Sequence, residues 1–236
     1  GPAHAFDVRQ VGAAVDELVG ARQRRGQRGE VHGEGVAAGH RAVACRVQGF
    51  MDSGQCRCRA VPVLQRLLQA KVSLEHRLPG EVTVLMIAAA LGMPDICARL
   101  LTAGANVQAA DAQGLTPLHC AALYGFNARD RPRLLALFDT LLLAGADADA
   151  VAAGGVTPLL LLLGARAEPG TACDEDVVLA AVDRLLDEDT RLDAQDPRGF
   201  GPLHLAALHG LLRLARHLLR AGCDPDLRDG LNRTPR

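Results

Sequence analysis

Large aromatic side chains are nearly absent from this sequence. The 236 residues include no tryptophan, one tyrosine and five phenylalanines, although 49% of them are hydrophobic. A conventional globular core relies on large rings to fill much of its volume. A core made of leucine and alanine instead indicates small helices that pack closely together.

The sequence also has neither a strong net charge nor a long apolar run. A formal net charge of −1 argues against a general nucleic-acid binder. The arginine-rich residues 22–28 lack interleaved aromatics, so a solvated linker is favoured over an RNA-binding arm. The apolar residues 159–163 are far too few to span a membrane, and no signal-peptide pattern is present. We therefore expect neither a nucleic-acid partner nor a membrane.

Residue types that carry enzyme chemistry are sparse. Lys71 is the only lysine and follows Ala70, which excludes a phosphate-binding P-loop because that motif needs Gly-Lys. Ser53 does not have the spacing of a nucleophile elbow. His204 and His209 are five positions apart and therefore face different sides of a helix, unlike a metal-binding pair. We expect no catalytic residue and no cofactor.

Cysteines are present in an odd number, seven, with irregular spacing that does not suit a disulfide framework. Free thiols indicate a reducing compartment, and we expect a cytoplasmic protein. The strongest metal candidate combines Cys56 and Cys58 with Cys45, His40 and His32. Zinc sites usually hold two matched cysteine or histidine pairs, so free thiols in a loose segment are the favoured interpretation and no metal site is predicted.

A repeated motif occupies most of the chain after residue 80. Residues 114–125 read GLTPLHCAALYG, and residues 199–210 read GFGPLHLAALHG. Thr83 begins a related segment 33 residues before Thr116. Further copies begin at Thr157 and Thr234. A fixed period of this kind is typical of a protein built from stacked repeats.

The second half of each unit is repeated as well. Residues 100–106 read LLTAGAN, residues 142–147 read LLAGAD, and residues 218–224 read LLRAGCD. An aspartate closes most units, at Asp111, Asp196 and Asp229. A typical unit therefore has a leucine pair, then a glycine, then an Asp-x-x-Gly turn.

These residue types have physical roles at their positions. Thr116 can cap a helix, and Pro117 suits the first helical turn, where its missing N–H was unpaired anyway. His119 is expected to form a hydrogen bond near the neighbouring threonine that connects adjacent units. Gly125 is expected to end the first helix, and Gly145 to take a positive φ after the second.

This combination of motifs resembles the ankyrin-repeat family, strongly over residues 81–236 and weakly before them. The resemblance implies an all-α solenoid of stacked helix-turn-helix units with projecting turns. Leu141 and Leu142 should fill its core. Leu101, Leu142, Leu186 and Leu219, which share one register position, should also be core residues.

Two units depart from the 33-residue period. The second has eight extra residues within 126–133, and the third has 11 near residues 164–176. Both insertions are predicted to lie between the two helices of their unit. The third unit also has Asp189 where glycine is usual.

The domain boundaries follow from the repeats. Residues 1–60 are predicted to be irregular or poorly ordered, with one short helix possible at residues 11–18. Residues 61–236 form the predicted repeat domain. It comprises a partial unit at 61–80, units near 81–113, 114–154, 155–198 and 199–231, and a truncated unit at 232–236.

The resemblance implies a non-catalytic scaffold that binds another protein through its concave face and projecting turns, where turn and first-helix positions vary to suit the partner. We expect Tyr124→Ala to weaken binding with little change in thermal stability. An alternative remains open, in which the array is a targeting or structural module of a larger, for example host-directed bacterial, protein whose activity lies elsewhere. By spacing, the predicted partner-binding residues are Gln113, Cys120, Leu123, Tyr124, Pro197, Arg198, Leu205, Leu208 and His209.

Overall fold

The computed structural model describes residues 74, 75, 77 and 80–235. The predictions for residues 1–60, for most of the partial unit at 61–80 and for the cysteine and histidine cluster at residues 32–58 lie outside the described residues. Within residues 80–235 the chain forms helices, with one isolated β-bridge between Ala152 and Val156. The helices are α1 (Val84–Ala90), α2 (Pro94–Thr102), α3 (Pro117–Phe126), α4 (Arg131–Leu143), α5 (Pro158–Leu162), α6 (Glu175–Leu186), α7 (Pro202–Leu208) and α8 (Leu212–Arg220).

The helices are arranged in two parallel rows. The first helices of the units, α1, α3, α5 and α7, each pack against the next in order, and so do the second helices, α2, α4, α6 and α8. Each first helix also packs against the second helix of its own unit. The predicted all-α solenoid of helix pairs is therefore confirmed.

The core between the rows is made mainly of leucine and alanine. Leu141 is fully buried and Leu142 is 7% exposed, as predicted. Phe138 is the largest fully buried side chain among the described residues. Small residues such as Ala121 and Ala122, both 0% exposed, allow neighbouring first helices to approach closely. Burial of many such side chains is the main favourable contribution to folding.

The first helices begin at equivalent positions of successive units. Thr83, Thr116, Thr157 and Gly201 are the N-cap residues of α1, α3, α5 and α7. The Thr157 hydroxyl accepts a hydrogen bond from the Leu160 amide at 3.4 Å, which satisfies one of the unpaired donors at the helix start. The predicted row of matching helix starts is present.

Two buried histidines connect adjacent units, as predicted for His119. The Thr116 amide donates to Nδ1 of His119 at 3.1 Å, so the ring carries its proton on Nε2, which donates to the Val156 carbonyl oxygen at 3.1 Å. His204 forms the same pair of bonds, from the Gly201 amide and to the Arg233 carbonyl. Each ring therefore ties a helix start to the turn of the next unit.

The aspartates that close the units organise the turns. One carboxylate oxygen of Asp196 accepts hydrogen bonds from the amides of Arg198 and Phe200, both at 2.9 Å. Asp111 and Asp229 accept the equivalent pairs of amide bonds in their own turns. The Asp-x-x-Gly segments at Asp111 and Asp196 thus form turns as predicted, and Asp229 closes the same turn with Asn232 in the place of the glycine.

The two insertions are accommodated in different ways. In the second unit the extra residues mainly lengthen the helices, since α3 and α4 have 10 and 13 residues, whereas α1 and α2 have 7 and 9. The prediction that Gly125 ends α3 is wrong, because the helix continues to Phe126 and Asn127 is its C-cap. In the third unit α5 ends early, and residues 163–174 connect it to α6.

The exits of the second helices require a left-handed backbone. Gly145 has φ +93°, as predicted. Asp189 occupies the equivalent position in the third unit with φ +55°, a conformation that an L-residue adopts at some energetic cost.

The shared leucine position is not uniformly buried. Leu142 is buried, Leu101 and Leu186 are half-buried, and Leu219 is 45% exposed. The prediction that Leu219 is a core residue is wrong. Among the described residues no helix pair follows α7 and α8, so nothing covers the far side of α8.

Candidate protein-binding surface

The first helices and the turns share one side of the stack. We call this surface the inner face: α1, α3, α5 and α7 together with the turns at residues 110–114, 150–155, 195–199 and 228–232. Their helical segments contain no Asp, Glu, Lys or Arg. Apolar side chains are half-buried along it, at Leu123, Tyr124, Phe200 and Leu208. The inner face is therefore mainly apolar along its helices.

Tyr124 lies near the C-terminal end of α3 and contacts the first unit. Gly92 has φ +65°, and a Cβ atom at Gly92 would be only 2.3 Å from Cζ of Tyr124. The ring therefore packs against the backbone of the preceding unit, and Gly92 allows this close approach. Tyr124 supports the stack as well as being partly accessible, so we now expect its truncation to cost about 1 kcal/mol of stability.

Three of the predicted partner-binding residues are interior. Cys120 and Leu205 are 0% exposed, and His209 is 9% exposed. Burial raises the pKa of the Cys120 thiol well above its usual value, so the group stays a neutral, apolar part of the core. These positions face the neighbouring unit, and the first helices lie too close together to leave them accessible.

His209 illustrates how close the third and fourth units lie. Its Nε2 is 3.1 Å from the Gly164 carbonyl oxygen, and its ring centroid lies 5.0 Å from that of Phe126. A Cβ atom at Gly164 would meet both rings below 3.0 Å. His209 therefore connects the third and fourth units. Spacing alone had predicted an exposed position on the concave side, and that prediction is wrong.

The remaining predicted residues reach the surface. Pro197 and Arg198 are exposed in the third turn, and Gln113 is half-buried in the first. Leu123 and Leu208 complete the accessible set with Tyr124. The structure thus brings six of the nine predicted residues to the inner face.

Arg198 is held in one orientation by three partners. It forms a salt bridge with the buried carboxylate of Asp196 at 2.7 Å, donates to the Ala165 carbonyl oxygen at 3.0 Å, and lies 4.5 Å above the Phe200 ring. A guanidinium over an aromatic face is electrostatically favourable. Its contact with Ala165 places it against the backbone that follows α5.

Arg166 was not among the predicted site residues. It is exposed, and its Nη2 donates to Oε1 of Gln113 at 3.3 Å, so it reaches from the third unit to the turn before the second. The available signal was that Arg166 replaces the glycine that follows the first helix in other units. That signal marks an unusual position, but it does not reveal where the side chain goes.

Two properties of the described residues concern metal binding and thiol reactivity. No group of three or more His, Cys, Asp or Glu residues is placed to hold a metal ion within them. The pKa of the Cys97 thiol is raised by burial to about 12, which leaves it unreactive. In the same part of the chain, none of the helices has the length and apolar character needed to cross a membrane.

The rows of helix pairs, the Thr-Pro helix starts and the Asp-x-x-Gly turns define a class of helical-repeat protein, and the chain belongs to the ankyrin-repeat family. Family models described as ankyrin repeats match residues 56–150 and residues 185–236. Ankyrin repeats are general protein-interaction modules and are generally non-catalytic.

The chain is also similar to a particular protein, the B-cell lymphoma 3 protein homolog of Mus musculus. The two are 31% identical over 176 residues, which is 65% of this chain and 38% of the mouse protein. The matched region therefore spans well under half of that relative.

Proposed function

We propose that this chain is a non-catalytic scaffold that binds another protein through its inner face. The observation that supports this most directly is that half-buried apolar side chains of the first helices and exposed turn residues lie on the same side of the stack. Six predicted residues contribute to it, and Arg166 joins them. The proposed partner-contacting residues are Gln113, Leu123, Tyr124, Arg166, Pro197, Arg198 and Leu208.

The inner face is held in place by backbone hydrogen bonds between successive turns. The amide of Ala112 donates to the Gly80 carbonyl at 2.9 Å, Ala153 to Gln113 at 2.8 Å, and Gly230 to Arg198 at 2.8 Å. A partner would therefore meet a surface that is already ordered. Binding to such a surface loses less conformational entropy than binding to a flexible one.

The free thiols support a reducing, cytoplasmic location as part of this proposal. Cys97, Cys120, Cys173 and Cys223 are all unpaired, and three of them are buried. Disulfides are rare in the cytosol, where thiols stay reduced. The thiols here serve as small apolar residues of the repeat core.

A second proposal concerns the protein to which this repeat array belongs. The match covers only 38% of the mouse relative, so an array of this kind occurs there within a longer chain. The array would then act as a targeting or structural module for an activity carried elsewhere. Both proposals assign the same binding role to the inner face.

The proposed binding face can be tested with paired surface variants. The full chain would be used as bait for quantitative mass spectrometry, with Leu123→Ala/Leu208→Ala on the inner face. The matched control is Leu143→Ala/Leu212→Ala, two leucines on the second helices that are 82% and 68% exposed. Melting temperatures of all three proteins would be measured in parallel.

We expect partners of the unmodified chain to be retained by the control and depleted at least several-fold by the inner-face variant, without unfolding of either. If the two variants retained the same partners equally, the inner face would not be the binding surface. If the control alone lost them, the second-helix side would be the binding surface instead.

A further inference from the structure

We infer that the inner face around the third unit binds a partner segment in which a carboxylate side chain lies next to apolar ones, with Arg166 contacting the carboxylate. This inference deepens the proposed function and rests on it. It concerns the chemistry of the partner, which the repeat architecture alone does not specify.

Acidic charge on the inner face is directed inward. The side chains of Asp196 and Asp229 are only 3% and 2% exposed, because their oxygens accept amide hydrogen bonds within the turns. Asp111 is bound in the same way to the amides of Gln113 and Leu115. The carboxylates of these turns are therefore occupied by the protein itself and offer little to a partner.

Arg166 has an incompletely satisfied positive charge. Within residues 80–235 it forms no salt bridge, and its bond to Gln113 is a long one at 3.3 Å to a neutral amide. Burial is the main cause of the lowered pKa of His119, and the charge of Arg166 lowers that pKa further.

Arg198 differs from Arg166 in that its charge is already balanced. Its guanidinium donates to the carbonyl oxygen of Ala165, the residue directly before Arg166, and forms a salt bridge with Asp196. The guanidinium of Arg166 instead reaches the neutral amide of Gln113. A carboxylate from a partner would balance the charge of Arg166, and arginine binds carboxylates through strong, charge-assisted hydrogen bonds.

The surroundings favour an acidic peptide over a nucleic acid or a phosphate. Phe200 lies beneath Arg198, and the half-buried Leu123 and Leu208 belong to the helices on either side of α5. One unbalanced arginine suits a single carboxylate, whereas a nucleic-acid backbone needs many cations. Apolar neighbours on the partner segment would cover the leucines.

A peptide library tests this chemistry directly. A random dodecapeptide phage library would be panned on the immobilised full chain, and selected peptides would be synthesised with and without their acidic residues replaced by the corresponding amides. Binding would be measured to the unmodified chain, to Arg166→Gln, and to Arg216→Gln as the control. Arg216 is an exposed arginine on α8, in the row of second helices.

We expect the selected peptides to be enriched in Asp or Glu beside Leu or Phe. Their affinity should fall about tenfold with Arg166→Gln or with the amide peptides, as loss of a charged hydrogen bond predicts, and stay unchanged with Arg216→Gln. Binding should also weaken as salt is raised.

The inference is overturned if the selected peptides lack acidic residues, if no peptide is enriched, or if Arg166→Gln leaves their affinity unchanged. It is also overturned if the binding of a phosphopeptide or of single-stranded RNA is weakened more strongly by Arg166→Gln than the binding of the acidic peptides is. The experiment with the leucine pairs tests the proposed function separately. If the inner-face variant lost its partners but the selected peptides were not acidic, only the inference would be rejected.

Discussion

At the scale of single residues, His119 and His204 act as fixed connectors between units. Each ring uses one nitrogen to accept an amide at its own helix start and the other to donate to the turn of the next unit. Both nitrogens have defined partners only in the neutral ring. Burial, the largest cause, together with the charge of Arg166, lowers the pKa of His119 against the opposing effect of its bond to Val156.

The lowered pKa of His119 predicts a loss of stability on acidification. The unfolded chain takes up a proton near pH 6.5 and the folded chain only at lower pH, so the contribution of His119 is complete above that range and declines below it. We expect the stability advantage of the unmodified chain over His119→Gln to shrink from pH 7.5 to 5.5, by up to about 1.4 kcal/mol per pH unit. Urea unfolding at several pH values would measure it, and a constant difference would contradict the prediction.

The left-handed backbone at Asp189 predicts that glycine is the better residue there. Asp189 is exposed and has φ +55°, so Asp189→Gly should raise the free energy of unfolding by about 0.5 kcal/mol. The matched control is Gly145→Ala, since a Cβ there meets nothing within 4 Å and only the φ of +93° opposes it. Thermal and urea unfolding should both show that Asp189→Gly raises the free energy of unfolding and that Gly145→Ala lowers it. Destabilisation by Asp189→Gly would indicate an additional role for the aspartate.

At the scale of elements, equivalent helices differ according to what lies beside them. The second helix α4 has α2 on one side and α6 on the other, whereas α8 contacts α6 and has no further second helix among the described residues. The same register position is therefore 7% exposed as Leu142 and 45% exposed as Leu219. Position in the row, not residue type, decides how much area is buried.

This difference predicts unequal costs for the same substitution. Leu142→Ala should destabilise the chain by about 2–4 kcal/mol, because it leaves a cavity in a packed interface. Leu219→Ala should cost under about 1 kcal/mol, because much of that side chain is already in water. Urea unfolding of both variants would provide the comparison. Similar losses would show that another surface covers Leu219 in solution.

At the scale of the whole molecule, each unit contacts chiefly its neighbours, so stability is close to a sum of units and interfaces. In most turns, one backbone amide donates a hydrogen bond to a carbonyl oxygen of the preceding turn. Pro197 occupies the equivalent donor position in the third turn and has no N–H to give. Arg198 of this turn instead bonds the Ala165 carbonyl within the third unit, and His209 connects the fourth unit to the third through the Gly164 carbonyl.

The one-dimensional arrangement predicts a gradient of local stability. Amides of α3 and α4, which have helix pairs on both sides, should exchange their hydrogens more slowly than amides of α7 and α8. Native-state hydrogen exchange followed by mass spectrometry would measure this on the full chain. Equal protection throughout residues 80–235 would show instead that the described units unfold as one cooperative body.

Much of the candidate surface could be anticipated, because the motif spacing assigns turn and first-helix positions in every unit. Gln113, Pro197 and Arg198 reach the surface for this reason. Cys120, Leu205 and His209 could not be separated from them, since their burial depends on how closely the next first helix approaches. Arg166 was missed because its reach to Gln113 spans two units, a relation that no local pattern contains.

Local motifs alone settled where the helices begin, how the turns close and which family the chain belongs to, because caps, prolines and Asp-x-x-Gly turns act over a few residues. The distance between units was decided only in three dimensions. That distance determines which side chains are covered, which stay accessible, and which distant groups Arg166 and Arg198 reach, because each depends on contacts between segments that lie 33 or more residues apart.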